Sequence, residues 1–162
     1  MYDTLFLDRD GVINYKLEAR YVTNYHQFKF IQNSDLAIRE LSKIFKRIFI
    51  VTNQQGIGKG IMSKNDLNSL HEIMQDKLST KKKYIKKIYY CPHLELDLCN
   101  CRKPNTGMLE QAKKDFPEIK IKSSFLVGDS DSDIEAGNKF GLQTVKVDNN
   151  YTLYHWLQEI SL

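Results

Sequence analysis

The sequence predicts an α/β protein, a parallel β-sheet with helices on both faces, and three observations predict it. Short runs that are apolar throughout alternate with segments of helical periodicity, the pattern of strands buried on both sides and joined by crossover helices. The 162 residues lie close to the ~150-residue domain prior and can bury roughly two-thirds of the unfolded chain's surface. Hydrophobic residues at 41% and charged residues at 27% exclude disorder, collagen-like repeats and coiled coil as the main organisation. One domain over residues 1–162 is expected, since no repeat, low-complexity tract or linker interrupts the chain.

The elements follow in order. Thr4-Leu5-Phe6-Leu7 reads as a buried strand ending at Asp8. Ser34 can cap a helix running to about Lys46, with Leu36, Ala37, Glu40, Leu41 and Ile44 at helical spacing. Ile48-Phe49-Ile50-Val51 is a second strand, ending at Thr52. Ser63 with Asp66 resembles a capping box and opens a helix through Leu67, Leu70, Ile73, Met74 and Leu78. Ile88-Tyr89-Tyr90 is a third strand, Thr106 starts a short helix, and Ser124-Phe125-Leu126-Val127 is a fourth strand. A helix over Ile134 to Lys139, a fifth strand over Gln143 to Val147 and an amphipathic helix around Leu153, Trp156 and Leu157 complete the chain.

Charge and hydropathy exclude several function classes. Twenty-four basic against 20 acidic residues leave +4, far from the balance of a dedicated nucleic-acid binder. The basic run Lys81-Lys82-Lys83 with Lys86-Lys87 reads as a solvated connection before a strand. No apolar run approaches the ~20 residues needed to cross a bilayer, and Met1-Tyr2-Asp3-Thr4 lacks a signal peptide's basic start and apolar stretch. A cytoplasmic enzyme without a membrane partner is expected. His26, His71 and His155 are expected in structural or surface roles.

In parallel sheets ligands bind outside the carboxyl ends of the strands, and there this chain carries its chemistry. The first strand ends in Asp8-Arg9-Asp10-Gly11. Carboxylates at i and i+2 of an extended chain lie on one side and can share a cation or substrate, although Asp-Gly taken alone is equally a turn. The second strand ends in Thr52-Asn53-Gln54-Gln55-Gly56, a hydroxyl and amides suited to an oxyanion or equally to a turn. The fourth ends in Gly128-Asp129-Ser130-Asp131-Ser132-Asp133. This is no calcium loop, because Ile134 and Phe140 replace the required glycine and twelfth-position glutamate. Gly56-Ile57-Gly58-Lys59-Gly60 is no Walker loop, because Gly60 follows the lysine. Converging carboxylates repel unless a divalent cation neutralises them, and hard oxygen ligands suit Mg²⁺. A lysine, a hydroxyl and Mg²⁺ around one acceptor position suit a transferring phosphoryl group.

All three cysteines, Cys91, Cys99 and Cys101, fall in a short window with His93. An odd count without an export signal argues against a disulfide framework and for a metal site. Cys91-Pro92-His93, a five-residue spacer and Cys99-Asn100-Cys101 supply three thiolates and an imidazole, a closed tetrahedral set of the structural zinc type. The zinc loop would span 91–103 and position Arg102 and Lys103.

Leu5-Phe6-Leu7-Asp8-Arg9-Asp10-Gly11-Val12 resembles the first motif of the haloacid dehalogenase (HAD) superfamily of aspartyl phosphotransferases, and Thr52, Lys103 and Asp129 fall where its later motifs would lie. The resemblance runs from about residue 4 to 148. It implies a HAD-like (Rossmannoid) sheet without a separate cap domain. By the same resemblance Asp8 would be the nucleophile, and Asp10 would protonate the leaving oxygen and activate the hydrolytic water. Thr52 and Lys103 would hold the phosphoryl oxygens, Asp8, Asp10 (through its carbonyl) and Asp129 would hold Mg²⁺, and Asp133 would be a supporting acid.

The run Cys-Pro-His … Cys-x-Cys-Arg-Lys-Pro resembles two related families, the D,D-heptose bisphosphate phosphatases and the histidinol-phosphate phosphatases. Arg102-Lys103-Pro104-Asn105-Thr106-Gly107-Met108, and Tyr21-Val22 followed by Phe28-Lys29-Phe30, favour the first; the short His93–Cys99 spacer favours the second. The resemblance implies substrate contacts from Arg102, Tyr21 with the loop from Asn14, and Asn53, Gln54 and Gln55. A small phosphorylated metabolite, foremost a sugar bisphosphate, is the expected substrate of a monomer. Polynucleotide 3′-phosphatase and a non-catalytic zinc-stabilised binding module are the rivals. The zinc cluster and modest charge argue against the first, and the complete set Asp8, Asp10, Thr52, Lys103 and Asp129 against the second.

Overall fold

The computed structural model describes residues 1–162. Strands β1 (Tyr2–Leu7), β2 (Phe45–Asn53), β3 (Ile85–Cys91), β4 (Phe125–Gly128) and β5 (Gln143–Lys146) form one sheet in the order β3-β2-β1-β4-β5, every pair parallel. The chain winds outward from β1 through β2 to β3, then returns to β1's other side as β4. The strand order therefore reverses between β1 and β4, where an open α/β sheet leaves a crevice for ligands.

Side chains alternate across the sheet, so each strand feeds two cores. On one face Leu5, Leu7, Ile48 and Ile50 pack under helices α1 (Ser34–Ile44), α2 (Lys64–Leu78) and α5 (Leu153–Ile160). On the other, Phe6, Phe49, Val51 and Leu126 pack under α3 (Gly107–Asp115) and α4 (Asp131–Phe140). The α/β expectation holds strand by strand, and no second domain is inserted. The connections carry only 3-10 turns at Tyr25–Gln27, Glu95–Asp97 and Ile121–Ser123. No helix is long and apolar enough to cross a membrane.

Strand and helix ends shift by a few residues from the sequence reading, and both ends of α1 differ for a structural reason. Asn33, not Ser34, caps α1, in a left-handed conformation with φ 64°, while the Ser34 hydroxyl donates to the Ile13 carbonyl at 2.7 Å. That bond ties α1 to the loop after β1. The helix also stops at Ile44 rather than Lys46, because Phe45 pairs with Tyr2 in the sheet and packs its ring against Tyr2, Phe125 and Trp156. Tertiary packing overrides the helical periodicity there. The Ser63–Asp66 capping box of α2 forms as expected, with bonds of 3.0 and 2.8 Å.

Candidate active site

The loop leaving β1 turns tightly over the Arg9 carbonyl, which accepts from the amides of Val12, Ile13 and Asn14. Gly11 makes the turn possible. Its φ is +86°, and a Cβ there would meet the Asp129 carboxylate at 2.1 Å, so glycine is required twice over. The Asp8 amide donates to Val127 across the switch point at 3.0 Å. The Asp8 carboxyl accepts from Lys103 Nζ at 3.0 Å. Burial pushes Asp8 up to about 8; Lys103 opposes the shift, and Asp133, Asp129 and Asp10 add to it.

Asp10 points elsewhere. Its Oδ1 accepts from Arg9 Nη2 and Asn14 Nδ2, each at 2.9 Å, and its Oδ2 from Gln54 Nε2 at 3.0 Å. Burial would raise this carboxyl, but the Arg9 charge and the three donors hold it below the usual carboxylate range.

Lys103 is buried at the centre. Its ammonium donates to Asp8, to the Val51 carbonyl at 2.8 Å and to Asp133 Oδ1 at 2.5 Å. Burial works against the charged form, yet Asp8 and Asp133 hold the amine above its ordinary range. The Asn53 side chain clamps the Lys103 main chain, accepting from its amide at 3.0 Å and donating to its carbonyl at 3.2 Å. Asp133's second oxygen caps α4 through Ser130, at 3.1 Å to the amide and 2.8 Å to the hydroxyl. Burial opposes ionisation of Asp133 too, but Lys103 and Ser130 keep it ionised.

A cavity of about 460 Å³ opens above this cluster. Asp8, Asp10, Tyr21, Asn53, Gln55, Arg102 and Lys103 all line it, as does the loop from Lys16 to Val22. The Gln55 amide donates to the Tyr21 hydroxyl at 2.8 Å. Thr52 and Gln54 are buried beneath. The Gln54 amide bridges Asp10 Oδ2 and the Thr52 hydroxyl, 2.9 Å away, so Gln54 braces two site residues instead of facing the cavity.

Asp8, Asp129 and Asp133 bring carboxylate oxygens within 4.8 Å of one another. Asp133 is fully engaged by Lys103 and Ser130, whereas Asp129 Oδ1 is buried without a partner and Oδ2 meets only the Lys16 ammonium at 3.1 Å. An orphaned carboxylate oxygen beside a second carboxylate is a donor set that fits a hard divalent cation.

The Cys/His cluster also converges. Cys91, His93, Cys99 and Cys101 place their donor atoms within 4.8 Å of one another. Cys91 Sγ stands 3.5 Å from both His93 Nδ1 and Cys99 Sγ, while Cys101 Sγ stands 3.2 Å from His93 Nδ1 and 3.7 Å from Cys99 Sγ. A tetrahedral zinc shell has edges of about 3.8 Å between sulfurs and about 3.6 Å between sulfur and nitrogen, given the usual bond lengths. These four edges fit. The Cys91–Cys101 edge differs from the sequence reading, because these two cysteines are paired as a disulfide and Cys99 is free. Cysteines gathered tightly enough for one metal also stand within disulfide reach, here 5.5 Å between Cα atoms.

Sequence reasoning passed over several residues. Arg9, which was given no role, and His71, expected in a structural or surface role, both lie behind Asp10. Lys59, Ser130 and Ser132 line the cavity without having been singled out. Lys59 sits in a loop tested only against motifs that failed, while its ammonium lies 5.2 Å over the Tyr21 ring.

A lysine held against the first of two aspartates, at the switch point of a Rossmannoid sheet, defines a HAD-like hydrolase. Comparison with known proteins agrees. The family model described as "HAD-hyrolase-like" matches residues 100–161. A D-glycero-alpha-D-manno-heptose-1,7-bisphosphate 7-phosphatase of Campylobacter jejuni is 42% identical over 137 residues, covering 82% of this chain and 74% of the relative. A D-glycero-beta-D-manno-heptose-1,7-bisphosphate 7-phosphatase of Rhodopseudomonas palustris is 38% identical over 144 residues, 85% of this chain and 78% of that one. The crystal structure of D,D-heptose 1,7-bisphosphate phosphatase from B. bronchiseptica, complexed with magnesium and phosphate, superposes with a TM-score of 0.88 at 26% identity over 98% of both chains. The chain belongs to the HAD-like hydrolases and, within them, to the family of D-glycero-D-manno-heptose-1,7-bisphosphate 7-phosphatases.

Proposed function

We propose that the chain is a Mg²⁺-dependent phosphatase that removes the 7-phosphate of D-glycero-D-manno-heptose 1,7-bisphosphate through an aspartyl-phosphate on Asp8, supplying heptose for lipopolysaccharide precursors. The observation that carries the choice of substrate is the charge of the cavity. Besides Lys103 it is lined by Lys16, Arg20, Lys59 and Arg102. With one phosphate seated against Lys103 and Lys16 paired to Asp129, Arg20, Lys59 and Arg102 remain for a second phosphate. Histidinol phosphate brings an amine instead, which that wall would repel.

Unaided phosphomonoester hydrolysis is slow enough that enhancements approach ~10²¹-fold, so the barrier has to be divided and the charge stabilised. An Asp8 oxygen bonds to phosphorus while the bond to the sugar oxygen breaks, and Asp10 gives that oxygen its proton. Water then attacks the same phosphorus, Asp10 takes its proton, and the bond to Asp8 breaks to release phosphate. Lys103 and the Thr52 hydroxyl hold the equatorial oxygens in place. Asp10 is ionised before substrate arrives, and a phosphate dianion beside it pushes its carboxyl toward the protonated form. Asp8, Asp129 and the Asp10 carbonyl would hold Mg²⁺, which supplies fixed positive charge at the phosphoryl oxygens.

In reduced protein Cys91, His93, Cys99 and Cys101 would hold zinc and fix the loop that delivers Arg102 and Lys103. The reading includes a small-molecule substrate, a cytoplasmic location and a monomer, the last checked by sedimentation.

Comparing kcat/KM for the heptose bisphosphate, histidinol phosphate and a 3′-phosphorylated oligonucleotide tests the reading, with Asp8→Asn as blank. The expected preference for the bisphosphate is at least about 100-fold, about 2.7 kcal/mol of transition-state binding. A preference for either rival substrate would overturn the assignment.

A further inference from the structure

Arg9 is the largest fully buried side chain of the molecule, at 0% exposure, and the reaction outlined above does not use it. A guanidinium is always charged and only donates, so burying one is costly unless its donors are met. Here one arm, Nη2, donates to Asp10 Oδ1 at 2.9 Å. The other, Nη1, lies 3.1 Å from Nε2 of His71 on α2. Since arginine cannot accept, His71 Nε2 must, which places the ring proton on Nδ1. Burial, with the Arg9 charge, keeps that ring neutral, its pKa pushed down to about 3. His71 borders a separate groove between α2 and β3, lined by Lys86 and Tyr90, and does not reach the phosphate cavity.

We propose that His71 is a positioning residue: by accepting from Arg9 it holds the guanidinium against Asp10 and so aims the Asp10 carboxyl at the leaving oxygen. This rests on the assignment of Asp10 as the proton donor. Arg9 and Asn14 from the loop after β1 and Gln54 from the end of β2 approach Asp10, and only the Arg9 brace is anchored in a helix. Loss of the anchor frees the guanidinium to swing away from Asp10 without touching the groups that bind phosphate. Misplacement by about 1 Å costs on the order of 100-fold in such a step.

The test uses two amides. In His71→Gln the carbonyl oxygen reaches the position of Nε2 and can accept from Arg9; in His71→Asn it reaches only the position of Nδ1. Both are assayed on an alkyl phosphate, which needs its leaving oxygen protonated, and on p-nitrophenyl phosphate, whose leaving group departs without help. His71→Asn should lose at least tenfold in kcat/KM on the alkyl ester and under threefold on the nitrophenyl ester, with KM for the alkyl ester unchanged. His71→Gln should recover most of the alkyl activity. Equal losses on the two esters, or His71→Gln failing to differ from His71→Asn, would overturn the clamp. A purely structural role would show as equal losses with a lower Tm. If Asp10→Asn in the wild-type background also spared neither ester selectively, the assignment of Asp10 would fall instead, and the two failures are told apart.

Discussion

Asp8, the proposed nucleophile, stands in a site that opposes its charge. Its carboxyl is pushed up from the ordinary carboxylate range to about 8, first by burial and then, against the opposing charge of Lys103, by Asp133, Asp129 and Asp10. A group whose folded pKa is raised contributes stability that is present at low pH and is lost as pH rises through the folded value. Mg²⁺-free protein should therefore lose this contribution between about pH 4 and pH 8. Asp8→Asn should abolish turnover yet melt above the wild type at pH 8 without Mg²⁺, and the gap should close near pH 4. Thermal unfolding at the two pH values checks it. Arg102 lines the cavity, and its planar fork can hold a phosphate bidentately. Arg102→Ala should cost about 2–3 kcal/mol of transition-state binding on a sugar bisphosphate and under about 1 kcal/mol on the matching monophosphate. Equal losses would remove Arg102 from the second-phosphate subsite.

Among the elements, the loop after β1 and the cysteine loop carry the most consequence. Adding one methyl at Gly11 drives a Cβ into Asp129 and demands a left-handed backbone. Gly11→Ala should lower stability by about 1–3 kcal/mol and weaken Mg²⁺ dependence of activity, measured by denaturant unfolding and a Mg²⁺ titration. The cysteine loop acts at one remove. Asn105 donates to the Cys99 carbonyl at 2.8 Å, the Gly107 amide to Asn100 at 2.9 Å, and Lys103 follows Cys101 by two residues. Zinc analysis of reduced protein should find one ion per chain. Its removal by a chelator, with Mg²⁺ restored afterwards, should cut kcat/KM at least about tenfold, the scale of losing a positioning shell. Full turnover from a zinc-stripped, folded protein would disconnect the loop from catalysis.

At the scale of the whole molecule the sheet separates two cores, and Phe49 is central to the second. Its ring lies 5.6 Å from Phe6, 5.9 Å from Tyr89 and 5.0 Å from Phe116, fully buried. Phe49→Ala should cost about 3–5 kcal/mol in denaturant unfolding, while its neighbour positions toward α1 and α2 keep their packing. Because Val51 on the same strand offers its carbonyl to Lys103 at 2.8 Å, activity should fall well before the protein is half unfolded. The five parallel strands were legible because each is a short apolar run bounded by polar residues. The site was legible because Asp8, Asp10, Thr52, Lys103 and Asp129 all follow strands or a cysteine cluster, so topology gathers them.

What the local pattern could decide, it decided: strands, helices, the aspartate pair, the lysine after the cysteine cluster and the Cys/His cluster itself each depend on neighbours within a few residues. Their convergence needed only the rule that parallel strands present their carboxyl ends together. The tertiary structure alone decided the rest. It ended α1 at Ile44, turned Gln54 beneath Asp10, set five cations around one cavity and joined Arg9 to His71 across 62 positions of chain. Those contacts are long-range, and nothing in the spacing of residues along the chain distinguishes a buried guanidinium between two aspartates from a solvated spacer. Only packing, by removing water from Arg9, forces it to find partners.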